Sequence, residues 1–137
     1  MPEETDTAVR AVLERTSTIA VVGCSSTPGK AAHEIPRFLR EHGYEIVPVN
    51  PNAETIFGVE AFDSLAAVPD GIDLVDVFRP ADEVPGIVEE TLEREDVETV
   101  WLQLGIVHDE AAQRAEAAGI EVVQDRCMKV EHKRLLG

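Results

Sequence analysis

Ile19-Ala20-Val21-Val22-Gly23, running without a break into Cys24-Ser25-Ser26-Thr27-Pro28-Gly29-Lys30-Ala31, is the stretch from which the fold can be read. An uninterrupted apolar run is what a strand covered on both faces of a parallel sheet shows, whereas a strand with one wet face alternates. The small and hydroxylic residues that follow make a strand-to-helix turn. Beyond it Ile35, Phe38, Leu39 and His42 recur at i, i+3, i+4 and i+7, the packed stripe of an amphipathic helix, and Gly43 supplies its stop. Tyr44 to Val49 is then a second strand.

Outward from this unit the alternation continues. Upstream, Val9, Val12 and Leu13 mark a short helix within residues 1–17. Downstream, a short strand is expected at Val59 to Phe62, followed by a helical turn that Ser64 can cap. Ile72 to Phe78 reads as a buried strand interrupted by Asp73 and Asp76. Asp82 to Arg94 is a helix with Pro85 in its first turn and Val84, Ile87, Val88 and Leu92 inward. Glu98 to Leu104 is a strand, and Ala111, Ala112, Ala115 and Ala118 mark a close-packing helix that Gly119 ends. Ile120 to Val123 is the last strand, and a terminal helix includes Met128 to Leu135. Strands separated by single helices require right-handed crossovers. The expected fold is therefore α/β, a single doubly wound, mostly parallel Rossmann-like sheet in the order 3-2-1-4-5-6. One domain is expected over residues 1–137, with residues 1–17 as an appended helix.

The 137 residues carry 12 basic against 27 acidic side chains, a formal charge of −15. Such a surface repels a phosphate backbone, which argues against nucleic acid as a partner. Lysine occurs only at Lys30, Lys129 and Lys133, and the acids are spread along the chain. That pattern suits a halophile, where molar salt screens self-repulsion within about 3 Å, or an ordinary acidic protein. No run of about 18 apolar residues is present, and Met1-Pro2-Glu3-Glu4 does not open a signal segment, so no membrane partner and a cytoplasmic location are expected. Cys24 and Cys127 form neither a CxxC pair nor a zinc spacing, which fits a reducing compartment.

In doubly wound sheets ligands bind outside the carboxyl ends of the strands, beside strand one. The first loop, Gly23 to Ala31, has the composition of a phosphate cradle: glycines admit backbone N–H groups to an anion, a helix start adds positive potential, and Lys30 adds a donor. A plain tight turn is the alternative. It is no Walker A loop, because five residues separate Gly23 from Gly29 and Ala31 stands where a hydroxyl should. Nor is it GxGxxG, because Ser25 takes the second glycine's place. After strand two, Asn50-Pro51 replaces the acidic residue that grips a NAD ribose, or simply closes the strand as an Asx turn. Phe78-Arg79-Pro80 offers a cation for a ligand phosphate or for Asp82. Gln103 and Gly105 offer a polar contact and a close backbone approach, while Trp101 reads as core.

Taken together, Gly23-Cys24-Ser25, Val49-Asn50-Pro51, Phe78-Arg79-Pro80, Trp101 to Ile106, Ala117 to Ile120 and Asp125-Arg126-Cys127 resemble the small stand-alone CoA-binding protein family. That family is itself similar to the CoA-binding domain of the succinyl-CoA synthetase α subunit. The resemblance runs from about Ile19 to Val130. It implies coenzyme A as the ligand, with Gly23, Ser25, Ser26, Lys30 and Arg79 toward phosphates and Asn50 and Pro51 toward the ribose and adenine; Cys24, Phe78, Gln103 and Gly105 complete the candidate site. The sequence departs from the synthetase in showing no counterpart of its histidine loop or phosphoryl-transfer partner domain, so that enzymatic activity is not expected of it.

His33, His42, His108 and His132 have no metal-ligand spacing, and Ser25 lies in no GxSxG elbow. Cys127 beside Arg126 is either a reactive thiolate or a structural cysteine. The leading expectation is a protein that holds CoA or an acyl-CoA without catalysis. The alternatives are an enzyme acting on a CoA thioester and a NAD-binding redox-sensing domain, and a homo-oligomer stays open.

Overall fold

The computed structural model describes residues 3–137; Met1 and Pro2, counted above with the first helix, lie outside the described residues. Five parallel strands form the sheet: β1 (Thr18–Val22), β2 (Glu45–Val49), β5 (Leu74–Val77), β6 (Thr99–Leu102) and β7 (Glu121–Val123), in the order β2-β1-β5-β6-β7. A separate antiparallel pair, β3 (Thr55–Ile56) and β4 (Val59–Glu60), lies between β2 and β5 in the chain. The helices are α1 (Glu3–Arg15), α2 (Ala31–Glu41), α3 (Val84–Leu92), α4 (Asp109–Ala117) and α5 (Met128–Leu136).

Strand alternation divides the core between the two faces of the sheet. Ala20, Val75, Val77, Val100 and Leu102 pack with Val84, Ile87 and Val88 of α3 and with Ala111 and Ala115 of α4. Ile19, Val21, Leu74 and Trp101 pack with Val12 and Leu13 of α1, Leu39 of α2 and Met128 of α5. Every residue of β5 and β6 is buried, the polar Asp76 and Thr99 included, as strands covered on both faces are. Trp101 is wholly buried in this core, its Nε1–H donating to the Arg126 carbonyl at 2.8 Å.

The sheet matches the expected order except at its outer edge. Where a third strand was expected, Phe62 alone makes a parallel bridge to Val49, donating to the Pro48 carbonyl at 3.0 Å while its own carbonyl accepts from Asn50 N–H at 2.8 Å. Val59 and Glu60 turn back onto Thr55 and Ile56 instead, because Phe57 and Gly58 both take left-handed conformations (φ 57° and 77°) and close a two-residue hairpin. Pro48 lies on the outer edge with no N–H to offer an added strand.

Beyond that hairpin the crossover from β2 to β5 contains a single 3-10 turn, Leu65–Ala67, and Ser64 makes no capping bond with its side chain. A nearly buried Arg94 holds this segment. Its guanidinium donates to the carbonyls of Leu65 (3.1 Å), Val68 (2.7 Å) and Pro69 (2.8 Å) and pairs with Asp96 at 2.8 Å. Asp96 in turn accepts from Gly71 and Ile72 N–H, and the Arg94 guanidinium holds its carboxyl far below the usual range. Two further expectations shift. The helix expected from Asp82 begins at Val84 behind a 3-10 turn, Ala81–Glu83. His42, placed above on the packed stripe, falls just past the end of α2 and is exposed, stacked on Phe38 at 4.0 Å.

Candidate functional site

The loops after β1, β2 and β5 enclose a cleft of about 590 Å3 at the carboxyl end of the sheet. Gly23, Cys24, Ser25, Ser26, Lys30, Asn50, Pro51 and Arg79 all line it. Phe78, Gln103 and Gly105 do not line it. Thr27, Asn52, Asp63, Ser64, Glu83 and Glu90 complete much of the wall and are not among the candidate site residues read from the sequence.

Gly23 carries a constraint besides its φ of +90°. A Cβ there would stand 2.8 Å from Arg79 Cδ and 2.9 Å from the Phe78 carbonyl oxygen. The glycine therefore lets the β5 loop close onto the β1 loop, and Arg79 reaches the cleft through that contact.

Internal hydrogen bonds hold the first loop. Ser25 Oγ accepts from Thr27 N–H at 3.0 Å, Ser25 N–H donates to the Ala32 carbonyl at 2.9 Å, and Glu34 accepts from Gly29 N–H at 3.1 Å. That last bond pulls the Glu34 carboxyl below its ordinary pKa. Lys30 is the N-cap residue of α2 and makes no side-chain cap bond, so the first N–H groups of α2 are left without a capping side chain. His33 and Glu34 N–H donate to the Lys30 carbonyl, which leaves Ala31 and Ala32 N–H, the helix potential and the Lys30 cation as the features that could attract an anion, beside the carboxylate of Glu34.

Asn50 uses both ends of its amide on the protein. Nδ2 donates to the Cys24 carbonyl at 2.9 Å and Oδ1 accepts from Asn52 N–H at 2.8 Å, so it clamps the first loop to the second and closes an Asx turn. Arg79 pairs with Glu83 rather than with Asp82: Nε donates to Oε1 at 3.1 Å and Nη2 to Oε2 at 2.8 Å. Glu83 raises the Arg79 pKa and has its own lowered in return. The cleft thus sets Lys30 and Arg79 against Asp63, Glu83 and Glu90.

Beneath the cleft, Asp76 of β5 is completely buried. Its Oδ1 accepts from Gln103 Nε2 at 2.7 Å, and Oδ2 is the one buried side-chain polar atom left without a partner among the described residues. Burial pushes its pKa up to about 7, against the lowering pull of Gln103. Gln103 Oε1 accepts from Met128 N–H at 3.3 Å, so this amide ties β5 to the start of α5. Cys24 is buried too, and desolvation together with Asp76 pushes its thiol up to about 12, which leaves almost no thiolate at neutral pH. Cys127 is half-buried at the N-cap of α5. Gly105 N–H donates to Asp125 Oδ1 at 2.6 Å, away from the cleft. No group of histidine, cysteine and carboxylate side chains suited to a metal ion occurs among the described residues. None of the described helices is long and apolar enough to cross a membrane.

The sequence pattern of the CoA binding domain matches residues 17–133. The chain belongs to that family. YneT of Bacillus subtilis (strain 168) is 40% identical over 124 residues, spanning 90% of this chain and 91% of that protein. The ADP-forming acetate–CoA ligase of Methanocaldococcus jannaschii is 36% identical over 72 residues, 53% of this chain but only 10% of the ligase. A solved structure from Pyrococcus horikoshii OT3 superposes with a TM-score of 0.91 at 37% identity, covering 96% of this chain and 92% of that one. The CoA binding domain therefore occurs here at nearly full-length correspondence with one relative, and as a small part of a ligase in another.

Proposed function

We propose that this protein holds CoA or an acyl-CoA in the cleft between the loops after β1, β2 and β5, without catalysis of its own. The observation that carries the reading is the uncapped start of α2, with Lys30 at its N-cap, opening into a cleft built by a chain of the CoA-binding family. The phosphates lie against the loop from Gly23 to Lys30, with Ser25 and Ser26 as hydroxyl donors and Arg79 reaching in from the β5 loop. The adenosine end lies toward Asn50 and Pro51. With two cations facing three carboxylates, backbone N–H groups and the helix start supply much of the anion stabilisation, and a concentrated salt environment would soften the repulsion. The buried, high-pKa thiol of Cys24 supports binding over nucleophilic chemistry at this site.

Isothermal titration with CoA tests the reading, with NAD as the competitor from the redox-sensing alternative. CoA is expected to bind and to raise the melting temperature, as any ligand specific for the folded state does. Lys30→Ala is expected to weaken it by about 1.5–3 kcal/mol, the range of a charge-assisted hydrogen bond. NAD binding as tightly as CoA, or Lys30→Ala without effect, refutes this placement. Native mass spectrometry of gently purified protein then shows whether free CoA or a thioester comes with it.

A further inference from the structure

The rim of the sheet continues past the cleft to the loop after β6, and there it changes character. Leu104 is 71% exposed and Val107 45%, two of the four exposed large hydrophobic residues among those described, three positions apart in one loop. The loop is held firmly. Ile106 N–H donates to the Gln103 carbonyl at 2.9 Å, Gly105 N–H to Asp125 Oδ1 at 2.6 Å, and His108 N–H to Gln124 Oε1 at 2.8 Å. Two apolar side chains are therefore presented to solvent by a fixed backbone rather than by a loose one.

From His108 the surface falls into a groove of about 270 Å3 between α3 and α4. Pro85, Val88 and Ala111 are its apolar lining, His108 and Glu110 border it, and the ion pair of Arg114 with Glu89, at 2.8 Å, lies on its wall. The β6 loop neighbours the β5 loop that borders the cleft, because β5 and β6 pair in the sheet, and Val107 leads directly into His108 on the groove wall. Phe78 and Arg79 touch Gly23 on one side, and on the other Gln103 N–H reaches the Val77 carbonyl at 3.4 Å. Neighbouring strands stand about 4.8 Å apart, so the β6 loop is within two strand spacings of the β1 loop. The flexible pantetheine arm of CoA is longer than that. A ligand with an anionic head, such an arm and an apolar tail matches the rim in order.

We propose that the ligand is an acyl-CoA of medium chain length, whose acyl chain lies over Leu104 and Val107 and enters the groove between α3 and α4. This rests on the reading of the cleft as the CoA site and names the class of thioester it takes.

The test titrates CoA, acetyl-CoA and octanoyl-CoA, the last kept below its micellar concentration, into the wild type and a Leu104→Ser/Val107→Ser variant. Both positions are exposed, so the fold is kept. On the wild type, octanoyl-CoA is expected to bind at least about tenfold more tightly than CoA, which shielding of only two methylenes would supply. The variant is expected to keep the wild-type affinity for CoA and lose most of that advantage. Equal affinities for CoA and octanoyl-CoA on the wild type, or an advantage that survives in the variant, overturns the acyl site while leaving the CoA cleft standing. Failure of CoA itself to bind the wild type overturns the cleft reading, and this one with it.

Discussion

Asp76 makes stability depend on pH in the direction opposite to most carboxylates. In the unfolded chain its pKa is near 3.8, and in the folded protein desolvation pushes it up to about 7. Between these values the folded state holds a proton that the unfolded state has released, so this group stabilises the fold at low pH and loses that contribution as pH rises through 7. At pH 5 the folded carboxyl is two pH units below its pKa, and at pH 8 it is ionised in both states. The contribution lost between pH 5 and pH 8 is about 2–3 kcal/mol at 1.36 kcal/mol per unit. Asp76→Asn keeps the shape and an oxygen for Gln103 Nε2 but removes the titration. His132, whose pKa burial lowers, tilts the profile the other way, and carboxylates such as Asp96 act only at lower pH. Subtracting the variant's profile from that of the wild type removes these shared contributions. Urea denaturation at half-unit steps from pH 5 to 8 is expected to show the wild type losing about 2–3 kcal/mol relative to Asp76→Asn. Parallel profiles would mean that Asp76 stays charged in the fold, and would refute the account of its orphaned oxygen.

Gly23→Ala is expected to cost about 2–4 kcal/mol in the same denaturation assay, because a Cβ at φ +90° also meets Arg79 and the Phe78 carbonyl; Gly29→Ala, with open space around it, should cost less. Glu83→Gln removes the carboxylate that occupies Arg79, and calorimetry is expected to show CoA binding about threefold tighter in dilute buffer, the gain fading in molar salt. Weaker binding would show that Glu83 holds Arg79 in its working position. With a formal charge of −15, the urea midpoint of the wild type is expected to rise across a potassium chloride series, and a flat response would count against the halophile reading.

The parts of the fold legible from sequence were those whose signal is local. The run at Ile19 to Val22, and the apolar positions of Ile72 to Phe78 despite Asp73 and Asp76, read as buried strands because a sheet covered on both faces needs apolar neighbours on each side. The outer edge was not legible. Phe57-Gly58 is not the Asn-Gly pair by which a two-residue hairpin is recognised, so Val59 was joined to Phe62 rather than folded back on Ile56. The segment before β5 depends on Arg94 reaching carbonyls 25 to 29 residues away, and nothing in the pattern around Leu65 announces that bond. The first loop could be placed on a cleft because topology brings it to the carboxyl end of the sheet whatever its details. Glu83 had a visible cue, four residues after Arg79 on a helical turn; Asp63 and Glu90 had none.

Asn50 lines the cleft, and its bonds there bear on what its neutrality can mean. Its neutrality suggested a strand end shaped for a phosphorylated ribose, since an acidic residue would repel the charge. In the fold, neutrality is already required by the amide's two bonds: a donor must face the Cys24 carbonyl and an acceptor must face Asn52 N–H. A carboxylate could serve only the second and would set negative charge against a carbonyl oxygen. Asn50→Asp therefore loosens the clamp between the first two loops whether or not a 3′-phosphate lies nearby, and a loss of CoA affinity in that variant would not locate the phosphate. The discriminating position is Lys30. Its side chain makes no cap bond and stands at the open start of α2, so Lys30→Ala reports the ligand's charge rather than the loop's own scaffolding: with the pyrophosphate at the first loop, CoA and dephospho-CoA are expected to weaken equally, and a loss confined to CoA would place the 3′-phosphate there instead.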